Sequence, residues 1–155
     1  MKKIYTTALC LLFGCITVSG QVATNTESKD STNIYYQAFL QYCSGAPEGH
    51  RETLLVEEDN ITTKSIPRRM GAFDIEILNY SAIKNRLKKE TSLTVIRIIP
   101  LRMEGGVFFI DIIPFGVTKS SKGLNYGNSG GYGIEFRYNC SSKKFELLAV
   151  KRGSV

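Results

Sequence analysis

Residues 107–118 read VFFIDIIPFGVT, an apolar run interrupted by one acid, Asp111, one proline, Pro114, and one glycine, Gly116. Both alternating sets of positions are apolar. Phe108, Ile110 and Ile112 form one set, and Phe109, Ile113, Phe115 and Val117 form the other. A half-solvated strand alternates, whereas a strand apolar on both faces is covered on both. This segment therefore predicts a strand that is covered on both faces. Pro114 and Pro100 each remove a ladder donor, which predicts bulges or edge-facing positions and a bent sheet.

Three further β-segments flank it: Leu93–Met103, Tyr132–Cys140 and Phe145–Val150. Glu104-Gly105-Gly106 supplies a turn before the central segment, and Ser141-Ser142-Lys143 supplies one between the last two. The third segment alternates, with Tyr132, Ile134, Phe136, Tyr138 and Cys140 on one side. Gly133, Glu135, Arg137 and Asn139 take the other. Together the four predict an antiparallel meander.

Towards the N-terminus, Asp30-Ser31 offers a helix cap, and Asn33–Ser44 follows with a narrow polar stripe at Asn33, Gln37, Gln41 and Ser44. Most of the remaining circumference is apolar, which predicts a largely buried helix. Leu54–Glu57 and Ile61–Ile66 read as short strands around a turn at Glu58-Asp59-Asn60. Phe73–Ile77 alternates as a half-buried strand. A second helix runs from Ser81 to about Glu90, with one apolar stripe of Tyr80, Ile83 and Leu87, and belongs on the surface. The expected fold is α+β. A mostly buried N-terminal helix and a surface helix pack on a curved antiparallel sheet that ends in a four-strand meander.

That element order resembles the NTF2-like cone and the simpler cystatin-like grip. It departs from the NTF2-like pattern in having one helix, not two, before the first strand. Residues 73–140, with IIPFGV at 112–117, SGG at 129–131 and FRYNC at 136–140, resemble small uncharacterised exported proteins of Bacteroidetes-type bacteria. That likeness implies no activity.

The N-terminus reads as an export signal. Lys2-Lys3 precedes an uncharged stretch from Ile4 to Val18, and Val18-Ser19-Gly20 gives small residues before Gln21. The stretch is shorter than the ~20 apolar residues that span a bilayer. Leu12-Phe13-Gly14-Cys15 also resembles a lipobox, in which Cys15 is lipidated, although Phe13 stands where a small residue is usual. The expected organisation is a signal peptide at 1–20, a polar linker at 21–30 and a single domain at 31–155. The expected location is periplasmic or secreted, or the outer membrane if Cys15 carries lipid.

The 155-residue chain has 20 Lys+Arg, 14 Asp+Glu and a formal charge of +6. Removing residues 1–20 takes two lysines, and the charge falls to +4. The basic stretch Lys84, Arg86, Lys88 and Lys89 lacks the interleaved aromatic platform of a nucleic-acid binder, and export argues against one. Of four cysteines, Cys43 and Cys140 remain in the domain. In an oxidising compartment they are a candidate disulfide, worth about 4–5 kcal/mol in the chain-entropy model. A pair of separate thiols is the alternative.

One histidine, His50, excludes most transition-metal sites, so neither metal nor cofactor is expected. Gly127-Asn128-Ser129-Gly130-Gly131 resembles the nucleophile segment of GNSGG-type serine proteases, but Tyr132 follows where proline is usual and His50 lacks its context. A glycine-rich connection between strands is the simpler reading. The stretch Gly123–Gly133 is long for a hairpin loop, which makes Asn125, Tyr126, Asn128 and Ser129 candidate loop contacts.

Asp111 stands out, because a carboxylate among large apolar side chains needs a partner. Arg97 lies on the neighbouring segment. The two share a face if the connecting loop is odd in length. Asp111 and Arg97 are the candidate pocket residues, with a structural ion pair as the alternative. The functional expectation is an exported, non-catalytic binding protein with a protein or small ligand of the cell envelope, no nucleic-acid partner, and membrane contact only through lipid at Cys15. Its oligomeric state is open. The alternatives are a cone-type ligand binder or enzyme with Asp111 in the pocket, and a secreted inhibitor or immunity-like factor.

Overall fold

The structure is a computed structural model that describes residues 32–44, 52–128 and 130–153. The signal and linker segments, Cys15, His50 and Ser129 lie outside the described residues, as do the Asp30-Ser31 cap and the lipobox.

Two helices and nine strands are described. They are α1 (Ile34–Ser44), β1 (Thr53–Glu57), β2 (Arg69–Met70), β3 (Phe73–Leu78), α2 (Tyr80–Arg86), β4 (Ser92–Ile98), β5 (Arg102–Glu104), β6 (Val107–Ser120), β7 (Gly123–Asn128), β8 (Tyr132–Asn139) and β9 (Lys144–Arg152). All nine strands join one sheet in the order β2-β3-β1-β4-β6-β8-β9, with β5 and β7 also paired to β6.

This corrects the expected α+β class with its curved antiparallel sheet. The protein is mostly β, and the sheet is mixed. β1 runs parallel to both β3 and β4, while β4, β6, β8 and β9 are antiparallel. Alternation reports which face a side chain takes and is silent on strand direction. The expected strand at Ile61–Ile66 is a turn region instead. The Asp59 carboxylate accepts the N–H groups of Ile61 and Thr62, both at 2.8 Å. The Thr63 hydroxyl donates to the Asp59 carbonyl at 2.6 Å. These local bonds offer the backbone an alternative to the sheet ladder.

β6 is the axis of the sheet. Its first half pairs β5 and β8, and its second half pairs β4 and β7. Pro114 is in register with Ile96, at the point where β8 pairing ends at Ile112 and β7 pairing begins at Phe115. The expected first segment, Leu93–Met103, is divided into β4 and β5 around Pro100. The β5–β6 turn has Gly105 at φ 57° and Gly106 at φ 80°. Two consecutive positive φ values give the twist a two-residue hairpin needs, and glycine adopts them without a Cβ penalty.

The sheet has a core on each face. α1 packs Ala38 and Phe39 against Ile98, Ile110, Ile112, Ile134 and Phe136. Asn33 caps α1, its carboxamide oxygen accepting from Tyr35 N at 2.9 Å and Tyr36 N at 3.1 Å. On the opposite face α2 packs Ile83 and Leu87 against Leu93, Val95 and Val117, with Leu124 at the margin. Asn79 caps α2, accepting from Ala82 N at 2.9 Å. With one helix on each face, the sheet does not wrap a single buried helix as a cone does.

Candidate functional site

Asp111 lies between Ile110 and Ile112, whose side chains face α1, so it projects from the opposite face. α2 covers that face over β4 and the second half of β6. Beyond it, over β5, the first half of β6, β8 and β9, the face carries a row of charges. The Asp111 side chain is 10% exposed and pairs with Arg102, which is 63% exposed. On the next two strands Glu135, 16% exposed, pairs with Lys151, 59% exposed. In both pairs the carboxylate is sunk against the sheet and the cation stands outermost.

Register explains the grouping. Asp111 is opposite Gly133, and Phe109 is opposite Glu135 on one side and Arg102 on the other. Lys151 is opposite Gly133 from the β9 side. Gly133 has no side chain, and a Cβ there would approach the Asp111 carboxylate at 3.5 Å. The missing side chain leaves an open hollow of about 560 Å³. Its floor is Phe109, Asp111 and Gly133, and its rims are Arg102, Met103 and Glu104 against Glu135 and Lys151. Among the described residues this lining holds five charged side chains, one aromatic ring and one thioether, which offer ion pairing and apolar contact.

Arg97 stands on the same face as Asp111 but belongs to another cluster. Its Nε and Nη2 donate to the Glu57 carboxylate at 2.7 and 2.6 Å. Its guanidinium packs against the rings of Phe115 and Tyr126, 5.0 and 4.8 Å from their centroids, the two rings meeting edge to face 5.9 Å apart. The Tyr126 hydroxyl donates to the other Glu57 oxygen at 3.3 Å. Burial, followed by the Glu57 charge, pushes the Tyr126 phenol above its ordinary value. A guanidinium so clamped is a structural tie between β1, β4, β6 and β7. The structure thus assigns the candidate pair Arg97 and Asp111 to two separate ion pairs.

Asn125, Tyr126 and Asn128 are not loop residues. They form β7, paired with Thr118, Val117 and Phe115 of β6. The glycine-rich stretch reads as a loop, yet β6 is long enough to give it a ladder partner. The α1 side of the sheet is filled by Phe39, Ile110, Ile112 and Ile134, all fully buried, and the hollow with Asp111 on its floor lies on the opposite face.

The candidate disulfide is absent, and Cys43 and Cys140 are both free. α1 runs alongside β8, with Tyr42 at its end contacting Tyr132 at a ring separation of 4.9 Å. Thr32 and Gln37 near its start lie beside Tyr138 and Phe145. Cys43 therefore sits near the start of β8 and Cys140 just past its end. At ~3.3 Å per residue that is roughly 25 Å, against the 5–6 Å a disulfide spans. Burial pushes the Cys43 thiol up to about 12.

Sequence reasoning found Asp111 through its apolar setting. It missed Arg102, Glu135 and Lys151, whose roles depend on register across four strands. Among the described residues, no group of three metal-ligating side chains occurs and no helix is long and apolar enough to cross a membrane. No family model, curated protein or solved structure matches the chain.

Proposed function

We propose that this chain is an exported, non-catalytic binding protein that takes an acidic group of its ligand on the open sheet face around Asp111. One observation carries the reading. Arg102 and Lys151 flank the side-chain gap at Gly133, each held from below by a carboxylate and open to water above. Buried carboxylates that hold cations in place lower the ordering cost of binding an anion. Phe109 and Met103 add apolar contact for the group that carries the acid. The volume lies within the roughly 300–1,000 Å³ range of ligand sites.

The test is a two-dimensional amide NMR titration with a panel of aryl and alkyl carboxylates. Shifts centred on Gly133, Glu135 and Lys151, abolished by Arg102→Ala with Lys151→Ala, support the reading. Shifts that stay in that double variant, or that centre elsewhere, overturn it.

A protein-inhibitor reading is supported by a different observation. β9 ends the sheet and leaves Leu147, Leu148 and Val150 exposed, as an edge that accepts a partner strand does. Charged substitutions at Leu147 and Val150 abolish partner capture on this reading and leave carboxylate binding at Gly133 intact.

A further inference from the structure

α2 and the β6–β7 hairpin bring together five lysines that are far apart in the chain. Lys84 lies in α2, Lys88 and Lys89 in the turn that follows it, and Lys119 and Lys122 in the hairpin. The contact between the two is direct. Leu124, in register with Lys119, packs in the cluster of Ile83 and Leu87, and Gly123 lies against the Tyr80 hydroxyl. All five lysines are exposed, and none forms a salt bridge among the described residues. The basic neighbour Arg86 is different, being committed to Glu76. Tyr80 stands among the lysines at 50% exposure.

Favourable interaction with the helix dipole accounts for basic residues in the last turn of α2. It does not account for Lys119 and Lys122, which belong to another element. Unpaired like charges gathered at one end of a fold repel one another and gain only when an anionic partner arrives.

We propose that this end of the protein docks on an anionic lipid bilayer, with the five lysines at the phosphate plane and Tyr80 at the headgroup level. Lysines on flexible stems suit a diffuse plane of charge, and an exposed tyrosine suits the interface between headgroup and acyl chain. A nucleic acid is less well served. It favours arginine forks or a run of stacking rings, and this patch has one exposed ring, Tyr80, and an arginine, Arg86, already paired with Glu76. The contact is reversible and electrostatic, and it is independent of lipid at Cys15 and of the hollow at Gly133.

The experiment is co-sedimentation of the full chain with phosphatidylglycerol–phosphatidylcholine vesicles and with pure phosphatidylcholine vesicles, at low and high salt. The quantity read is the ratio of anionic to neutral partition. The apolar stretch Ile4–Val18 and the Lys2-Lys3 before it are the same in every variant, so their contribution cancels when variants are compared with the unaltered chain. The expected ratio is well above one at low salt, falls at high salt, and drops about five-fold for each lysine replaced by glutamine in the series Lys84, Lys88, Lys89, Lys119 and Lys122. Lys143→Gln with Lys144→Gln, in the β8–β9 turn at the opposite end of β6, leaves the ratio within about two-fold, since charges beyond the Debye length of the bilayer contribute little. A ratio of one, a salt-insensitive ratio, an equal loss in the control pair, or tighter retention on duplex DNA than on anionic vesicles overturns the proposal.

Discussion

Arg97 faces Ile113 across the β4–β6 ladder, two positions along β6 from Asp111, so the two side chains stand on one face of the sheet. Each is bonded elsewhere, Arg97 to Glu57 on β1 and Asp111 to Arg102 on β5. The face therefore divides into a clamped cluster beside α2 and an open charged hollow beyond it. Only the second has cations with a free outer side.

Arg102→Ala strands a nearly buried carboxylate. The expected cost is about 1–2 kcal/mol by urea unfolding, below that of a fully buried pair because Arg102 is largely solvated. Arg102→Ala with Asp111→Asn removes the stranded charge and recovers more than half of the loss. A double variant as unstable as the single one places the cost elsewhere.

Replacing Arg97 by lysine keeps the charge but loses the planar guanidinium packed on Phe115 and Tyr126. A loss of about 1 kcal/mol is expected. Glu57→Gln acts on Tyr126 by a separate route. Burial is the larger cause of the raised phenol value and the Glu57 charge the next, so the titration midpoint moves down in the variant. Ultraviolet difference absorbance reads this shift, and an unmoved midpoint excludes the Glu57 contribution.

Stability is expected to fall in alkali. Burial raises Cys43 from 9.0 to about 12 and, with neighbouring charges after it, raises Tyr42 from 10.0 to about 12. Both groups are neutral in the fold, so their contribution is complete below the unfolded values and is lost as pH rises towards the folded ones. The slope is about 1.4 kcal/mol per pH unit for each group that titrates only when unfolded. Cys43→Ala removes its share of the slope from about pH 9 to about pH 12, and Tyr42→Phe removes its share from about pH 10 to about pH 12, so between about pH 9 and 10 only the Cys43 variant flattens the curve. Chemical unfolding across this range checks both slopes.

Thiol labelling separates the two cysteines. Cys140, exposed in the β8–β9 turn, is expected to react in the native protein, and Cys43 only after unfolding. Peptide mapping of the labelled sites reads the order. A Cys43–Cys140 cross-linked peptide from non-reduced protein contradicts the arrangement of α1 along β8.

Much of the local structure is legible in the chain. The apolar run of β6, the turn glycines at 105–106 and the buried stripe of Ile83 and Leu87 each announce their element, because periodicity and turn chemistry are local properties. The segments that misled carry local signals too. Ile61–Ile66 looks like a strand, but the side chains of Asp59 and Thr63 bind the backbone first. Residues 123–128 look like a loop, but they meet six consecutive partners on β6.

By itself, the sequence determined that a strand apolar on both faces needs cover on both, and that Asp111 within it needs a partner. Only the tertiary structure decided that β1 runs parallel to its neighbours, that Arg102 rather than Arg97 meets Asp111, and that Gly133 opens a hollow beside that pair. The reason is physical. Burial and charge compensation are demands a residue makes wherever it sits, whereas direction, register and the choice of partner are set by strands far away in the chain.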